Sequence, residues 1–169
     1  MAKVFNIHSQ LSPEFSKKWL VGSGGAATIA IGAPTAGVDA AAASPWLGTV
    51  AVMSDGNGTT SQRVTGIAKS TSTDTVAAAG EVYTWLPVPG IIYSGKAKTA
   101  STADTQAEVD ALSGKRVVFD LTTGDWTVDA AAADAVANCV VIIGGEYQTQ
   151  TLYFMYRPSG ACLDFCISA

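Results

Sequence analysis

A chain of 169 residues is long enough for one domain whose core needs no disulfide bonds. Only 14% of the residues are charged, against about 25% in an ordinary soluble domain, so small neutral side chains must build much of the surface. The formal net charge of −4, without any stripe of Lys and Arg, argues against a nucleic-acid partner. A sparsely charged surface favours close contact with another protein, and a weakly charged monomer fits the same numbers.

Cysteine usage and hydropathy indicate the compartment. Three cysteines cannot all pair within one chain, which favours reduced thiols made in a cytosol-like compartment. The longest apolar runs fall far short of the roughly 18 residues of a membrane span. Residues 1–20 contain neither the apolar core nor a clear cleavage site of a secretory signal, so we expect none. We therefore expect synthesis in a cytoplasm and no membrane partner.

Residues 1–45 are predicted to form an extended N-terminal arm with an Ala/Gly-rich connector, and residues 46–169 a β-rich domain. The large apolar side chains of residues 1–20 follow neither the helical nor the strand period, as in an arm whose side chains dock one at a time. An ordinary first strand and turn of the core is an equally good interpretation. The connector is low in complexity, with one short strand predicted at residues 28–31.

From residue 45 onward the β pattern dominates. Residues 46–53 and 62–68 are predicted to be partner strands on either side of a strong turn signal at residues 55–58. Residues 81–86 alternate as a further strand, and Pro87 and Pro89 then interrupt the sheet because proline cannot donate to a ladder. The sheet is expected to continue at residues 91–93 and 96–99.

Local signals agree best in residues 102–129. Thr105 and Glu108 form a capping box, which predicts a short helix at about residues 106–112 closed by Gly114 in a left-handed conformation. Residues 115–121 then alternate as a strand with one buried face, and the turn residues 122–125 lead into a returning strand at residues 126–128. A helix followed by a hairpin is predicted.

The remaining segments complete the predicted fold class. Asp129 is predicted to cap a second helix over residues 130–137, ended by Asn138 in a left-handed conformation. Strands are predicted at residues 139–143 and 148–157, and residues 161–167 also alternate. The chain is thus expected to be mainly β, an antiparallel β-sandwich or barrel-like domain with one or two short helices and the N-terminal arm.

The sequence contains no convincing catalytic or metal-binding motif. His8 is the only histidine and lies in the predicted arm, so a hydrolytic triad is not expected. Cys162 and Cys166 suit buried thiols better than half of a zinc site. Asp55 begins a hairpin turn rather than a calcium loop, because the glutamate of that loop is missing. We expect no enzyme, no cofactor and no metal.

Five aromatic residues remain as candidates for a sugar-stacking surface. More often such residues are core or interface anchors, which is the interpretation that we favour. They are Tyr83, Trp85, Tyr93, Tyr147 and Tyr153.

Two runs of the sequence resemble segments of a known protein family. They are VYTWLPVPGIIYSGKAKT at residues 82–99 and QAEVDALSGKRVVFDLTTGDWTVD at residues 106–129. Together with the Ala/Gly/Thr-rich, weakly charged composition, they resemble the capsid decoration (cement) proteins of tailed bacteriophages with an HK97-type shell. The resemblance spans about residues 46–157 and depends on composition and on these two runs, not on catalytic motifs.

The resemblance implies a compact β-rich virion protein, often a homotrimer, made in the bacterial host cytoplasm. Such proteins bind the major capsid protein on the capsid exterior and stabilise the shell, and their extended arms commonly lie across neighbouring subunits. On this basis we expect apolar arm anchors and two lysines that pair with acids of the shell. The anchors are Phe5, Ile7, Phe15 and Trp19, and the lysines are Lys17 and Lys18.

Two other functions remain open. A carbohydrate- or receptor-binding spike or fibre module requires aromatic residues clustered on one exposed face. A tail-tube or head–tail joining protein is distinguished by its position in the particle.

Overall fold

The computed structural model describes residues 6–9, 16–21, 28–37, 49–52, 64–73, 80–88, 90–122, 124–136, 138 and 140–157. Within these ranges the chain is mainly β, with eleven strands, one α-helix and two short 3-10 turns. The predicted fold class is therefore confirmed.

The strands fall into two sets. Five strands close into a barrel in the order β2-β4-β3-β5-β6, and six form a sheet in the order β1-β7-β11-β10-β8-β9. The barrel strands are β2 (Ser16–Val21), β3 (Pro34–Gly37), β4 (Thr49–Val52), β5 (Val64–Ala68) and β6 (Glu81–Trp85). The sheet strands are β1 (Asn6–Ser9), β7 (Ile92–Lys96), β8 (Arg116–Thr122), β9 (Asp125–Asp129), β10 (Val140–Glu146) and β11 (Thr151–Tyr156).

The predicted hairpin of residues 46–53 and 62–68, which contain β4 and β5, is wrong, because these two strands do not pair with each other. Strand β3 lies between β4 and β5 and pairs antiparallel with both, whereas β2 and β4 run parallel. Strand β3 has the sequence PTAG, whose small residues show no alternation, and it lies where a connector was predicted. The strand expected at residues 28–31 is wrong, because residues 28–30 have no regular structure and Ile31 lies in a turn.

The six-stranded sheet curls around an aromatic core. Ala97, just after β7, forms a parallel bridge with Val128 of β9, so the second strand of the sheet approaches its last strand. The rings of Tyr93, Phe119, Phe154 and Tyr156 pack inside, with the Tyr93 and Tyr156 centroids 5.2 Å apart in an edge-on arrangement. Such edge-to-face packing adds to the free energy gained from burial alone.

The helix and hairpin predicted from local signals are confirmed. Helix α1 spans Gln106–Leu112, and both hydrogen bonds of the capping box between Thr105 and Glu108 are present. Gly114 has a φ of +84°, the left-handed conformation that ends the helix. Strands β8 and β9 then pair antiparallel through five residue pairs.

The second predicted helix is wrong, because the described residues 130–136 form turns and irregular backbone instead. Asp129 does cap this segment, since its carboxylate accepts hydrogen bonds from the amides of Ala131 and Ala132. Side chains from elsewhere in the fold bind carbonyls that a helix would have used internally. Tertiary contacts therefore override the helix propensity of the alanines.

The described parts of the predicted arm belong to the chain's own sheets. Strand β1 pairs with β7 at one edge of the six-stranded sheet, and β2 pairs with β4 and β6 in the barrel. Strands from both sides of residue 45 therefore pair within one barrel, so the predicted division between an arm and a domain is not kept. Backbone pairing with distant strands, rather than side-chain pattern, places these segments.

Candidate partner-binding surface

Strands β2 and β6 pair antiparallel over five residue pairs and form one side of the barrel wall. In this register Lys18 lies opposite Tyr83, Trp19 opposite Val82, and Leu20 opposite Glu81. Because side chains alternate between the faces of a strand, every second residue points toward the barrel interior.

The inward face holds Trp19, whose exposed fraction is 3%. Its Nε1 atom donates a 2.8 Å hydrogen bond to Oγ1 of the buried Thr84 on β6. The Nζ atom of Lys17 lies 3.9 Å from the centroid of the Trp19 ring, a cation–π distance. The expectation that Trp19 anchors a partner is wrong, because the chain's own barrel buries the ring. Lys17, which was expected to pair with an acid of the shell, lies on the same side of β2 as Trp19.

Threonines extend this polar contact through the barrel interior. Thr84 donates to the carbonyl of Thr65 at 3.4 Å, and the Thr65 and Thr35 hydroxyl oxygens lie 2.8 Å apart. Trp19 and these three threonines lie on four of the five strands, so the buried hydrogen bonds fix how those strands sit against one another.

The outward face carries four side chains that we call the β2–β6 patch: Lys18, Leu20, Glu81 and Tyr83. Leu20 is 53% exposed and Tyr83 is 48% exposed, and both belong to the small group of large hydrophobic residues on the described surface. Lys18 Nζ lies 2.8 Å from Glu81 Oε1. The hydrogen bond to Glu81 and its negative charge raise the pKa of Lys18.

The geometry of the patch suits binding to a protein. The apolar Leu20 and Tyr83 lie on one diagonal of the strand pair, and the ion pair of Lys18 and Glu81 lies on the other. Exposed apolar side chains with tyrosine among them are typical anchors of interfaces, and a flanking ion pair sets orientation rather than affinity.

The sequence predicts part of this patch. It indicates Lys18 as a partner-binding residue and Tyr83 as a candidate exposed aromatic, but it indicates Trp19 and not the neighbouring Leu20 as the apolar anchor. The available signal was the two-residue period, which places Lys18 and Leu20 on one face and Lys17 and Trp19 on the other.

The positions of the other predicted anchor side chains lie outside the described part of the chain. Ile7 lies in β1 opposite Tyr93, with its side chain outside the description, and Phe5 and Phe15 lie outside the described residues.

The five aromatic candidates are distributed over both strand sets. Tyr93 is fully buried, and Trp85 and Tyr147 pack against the core. Tyr153 donates a 2.7 Å hydrogen bond to Glu146. Only Tyr83 and Trp85 share a face of one strand, so these residues do not form one platform.

The predictions about reactive groups fall mostly outside the description. His8 lies in β1 without a described side chain, and Asp55 and all three cysteines lie beyond the described ranges. Among the residues that the structure does describe, no three His, Cys, Asp or Glu side chains are grouped as metal ligands. In the same part of the chain, no helix is long and apolar enough to cross a membrane.

The β2–β6 patch therefore offers an exposed apolar surface, one ion pair and one phenol, groups that suit non-covalent binding.

Comparison with known proteins identifies no relative. No protein-family model, curated protein or solved structure matches the chain.

Proposed function

We propose that this protein is a structural virion protein that binds the outer surface of an icosahedral phage capsid and stabilises it. The observation that carries the proposal is the β2–β6 patch, where Leu20 and Tyr83 are exposed beside the ion pair of Lys18 and Glu81. The resemblance of residues 82–99 and 106–129 to capsid decoration proteins supports the choice of partner, and the mainly β fold agrees with it.

The proposed mechanism is mass action on the assembled shell. A protein that binds only the assembled state of the major capsid protein stabilises that state by an amount that grows with its concentration. Homotrimeric assembly, which the resemblance implies, multiplies a weak contact through avidity. Under this proposal a small patch is sufficient, because each trimer presents it three times.

The test is co-sedimentation of the purified protein with undecorated phage shells, with the bound copy number measured by densitometry. The double variant Leu20→Ser/Tyr83→Ser removes the apolar diagonal and is expected to reduce affinity by about tenfold or more. Ile31→Ser is the matched control, because Ile31 is 47% exposed and lies outside the patch. Absence of wild-type binding, or equal binding by the double variant and wild type, contradicts the proposed role.

A carbohydrate-binding role is the second candidate, and one observation favours it. Tyr83 and Trp85 lie two residues apart on β6 with their side chains on the same face, as in a short stacking surface. A glycan-array signal that disappears in Tyr83→Ser, without binding to shells, selects this function. Location of the labelled protein at the tail or at the head–tail joint selects a different virion role.

A further inference from the structure

The segment between β9 and β10 presents exposed apolar residues on a backbone held from several sides. We call residues 130–136 the alanine loop; its sequence is AAAADAV. Val136 is 71% exposed, more than any other large hydrophobic residue of the described surface. Ala131 and Ala133 are also exposed, so the outer side of the loop is largely apolar.

Three side chains from outside the loop hold its backbone. Lys115 Nζ donates to the carbonyl of Ala130 at 2.6 Å, and Asn138 Nδ2 donates to the carbonyl of Ala133 at 2.9 Å. Arg157, just beyond β11, donates from Nη1 to the carbonyl of Val136 at 2.8 Å.

Hydrogen bonds at the start and in the middle of the loop complete its support. Two loop amides bind the Asp129 carboxylate, and Asp134 Oδ1 accepts a 2.5 Å hydrogen bond from Nε of Arg116. The backbone is therefore ordered before any partner arrives. A loop ordered in advance loses little conformational entropy on binding, which is the condition for an efficient anchor.

Cations outnumber carboxylates at the base of the loop although the protein as a whole is acidic. Lys115, Arg116 and Arg157 reach the loop, and the carboxylates there are those of Asp134 within the loop and of Asp129 at its start, which also pairs with Lys98. Two of the three cations, Lys115 and Arg157, bind backbone carbonyls, which do not neutralise their charge. A partner that receives Val136 therefore gains from carboxylates placed around its apolar depression.

We propose that the alanine loop is a docking element that places Val136 in an apolar depression bordered by carboxylates on the shell protein. The proposal rests on the proposed function, since it takes the capsid shell as the partner. It adds a second contact to the β2–β6 patch, at the end of β9 in the six-stranded sheet rather than in the barrel wall.

The test compares shell binding of wild type, Val136→Asp and Val136→Thr by co-sedimentation with undecorated shells. The introduced carboxylate meets the acidic border, so Val136→Asp is expected to bind at least about tenfold more weakly. Val136→Thr keeps the shape and is expected to show a smaller loss. Ile31→Ser, which removes a comparable exposed side chain outside the loop, is expected to bind like wild type.

Folding and salt provide the controls. Because Val136 is exposed, circular dichroism and the melting temperature of both variants are expected to match wild type. Raising the salt concentration is expected to weaken wild-type binding through screening of the cationic base. Arg157→Gln, which releases the Val136 carbonyl and removes one cation, is expected to weaken binding and to reduce its salt dependence.

The outcomes separate this inference from the proposed function. If wild type does not sediment with shells, both are overturned. If wild type sediments and Val136→Asp binds equally well, the docking role of the loop is overturned while the shell-binding function stands. If Val136→Asp leaves shell binding intact but changes self-association in analytical ultracentrifugation, the loop contacts a second copy of the chain, and docking to the shell is likewise overturned.

Discussion

Lys98 Nζ lies 2.7 Å from Oδ1 of Asp120, a residue of β8 that is only 8% exposed. The same ammonium group lies 3.1 Å from Oδ2 of Asp129 at the end of β9. One cation therefore joins the chain after β7 to both strands of the hairpin, beside the bridge of Ala97 and Val128 that links this part of the chain to β9. The hydrogen bonds to Asp120 and then to Asp129 raise the pKa of Lys98.

Replacing Lys98 with Met is expected to destabilise the six-stranded sheet, because it leaves the buried Asp120 carboxylate without this cation. The double variant Lys98→Met/Asp120→Asn is expected to recover part of the lost stability. The measurement is the free energy of unfolding in urea for wild type, both single variants and the double variant. Purely additive effects of the two substitutions contradict a direct interaction.

The pH dependence of the Lys98 contact has a defined sign. The pKa of Lys98 is higher in the folded state than in the unfolded state. The contribution of Lys98 to the free energy of unfolding is therefore fully present below the unfolded pKa of about 10.4. It is lost as the pH rises through the higher folded value. The stability difference between wild type and Lys98→Met is therefore expected to shrink under strongly alkaline conditions, and a constant difference across that range speaks against the assignment.

Thr84→Val is expected to lower the free energy of unfolding by about 1–3 kcal/mol. The substitution keeps the shape of the side chain but removes the oxygen that accepts the hydrogen bond from Nε1 of Trp19 inside the barrel. The control is Thr102→Val in the turn before α1, whose hydroxyl bonds the exposed carbonyl of Thr99, with an expected change within about 0.5 kcal/mol. Equal effects of the two variants in urea unfolding contradict the proposed importance of the buried contact.

Gly66→Ala is expected to destabilise the barrel by more than about 3 kcal/mol. A Cβ atom at Gly66 lies 2.1 Å from the carbonyl oxygen of Trp85, and the φ of +144° is rare for any residue with a side chain. Gly124→Ala isolates the conformational part of this cost, because Gly124 has a φ of +85° with no atom within 4 Å of an added Cβ. That control is expected to cost about 1–2 kcal/mol, and urea unfolding measures both.

Tyr153 is expected to ionise with a pKa of about 12, because its hydroxyl donates a hydrogen bond to the Glu146 carboxylate. The fold stabilises the neutral phenol, so the hydrogen bond to Glu146 contributes to the free energy of unfolding below the unfolded pKa of about 10. It is lost as the pH rises toward 12.

Tyrosinate absorbance, measured as a difference between wild type and Tyr153→Phe, reports this pKa directly. In Glu146→Gln the pKa of Tyr153 is expected to fall toward the ordinary value of about 10. If the titration of Tyr153 is the same in the Glu146→Gln background as in wild type, the hydrogen bond does not control its ionisation.

Where interactions are local, the sequence predicts this protein well. The capping box joins Thr105 to Glu108 within one helical turn, and helix α1 has the predicted bounds. The hairpin of β8 and β9 follows from a short turn between two alternating strands, and β11 lies within the strand predicted at residues 148–157, with Leu152, Phe154 and Tyr156 buried. Each of these features depends on residues a few positions apart, whose spacing is visible in the chain.

The pairing of strands that lie far apart in the chain could not be predicted from the sequence. The PTAG segment of β3 has no pattern of its own, and it is a strand because β4 and β5 bind its backbone from both sides. The alanines of residues 130–136 favour a helix on their own, but hydrogen bonds from Lys115, Asn138 and Arg157 hold them in a loop.

The candidate site shows the same division within one strand. The two-residue period of β2 establishes that Trp19 and Leu20 point to opposite faces, but both are large and apolar, so the period does not tell which one is buried. The folded barrel decides, because Thr84 on β6 offers an acceptor for the indole N–H and the interior has room for that ring. Local spacing thus determined which side chains share a face, and only the contact with a strand more than sixty residues away decided which face is buried and which is exposed.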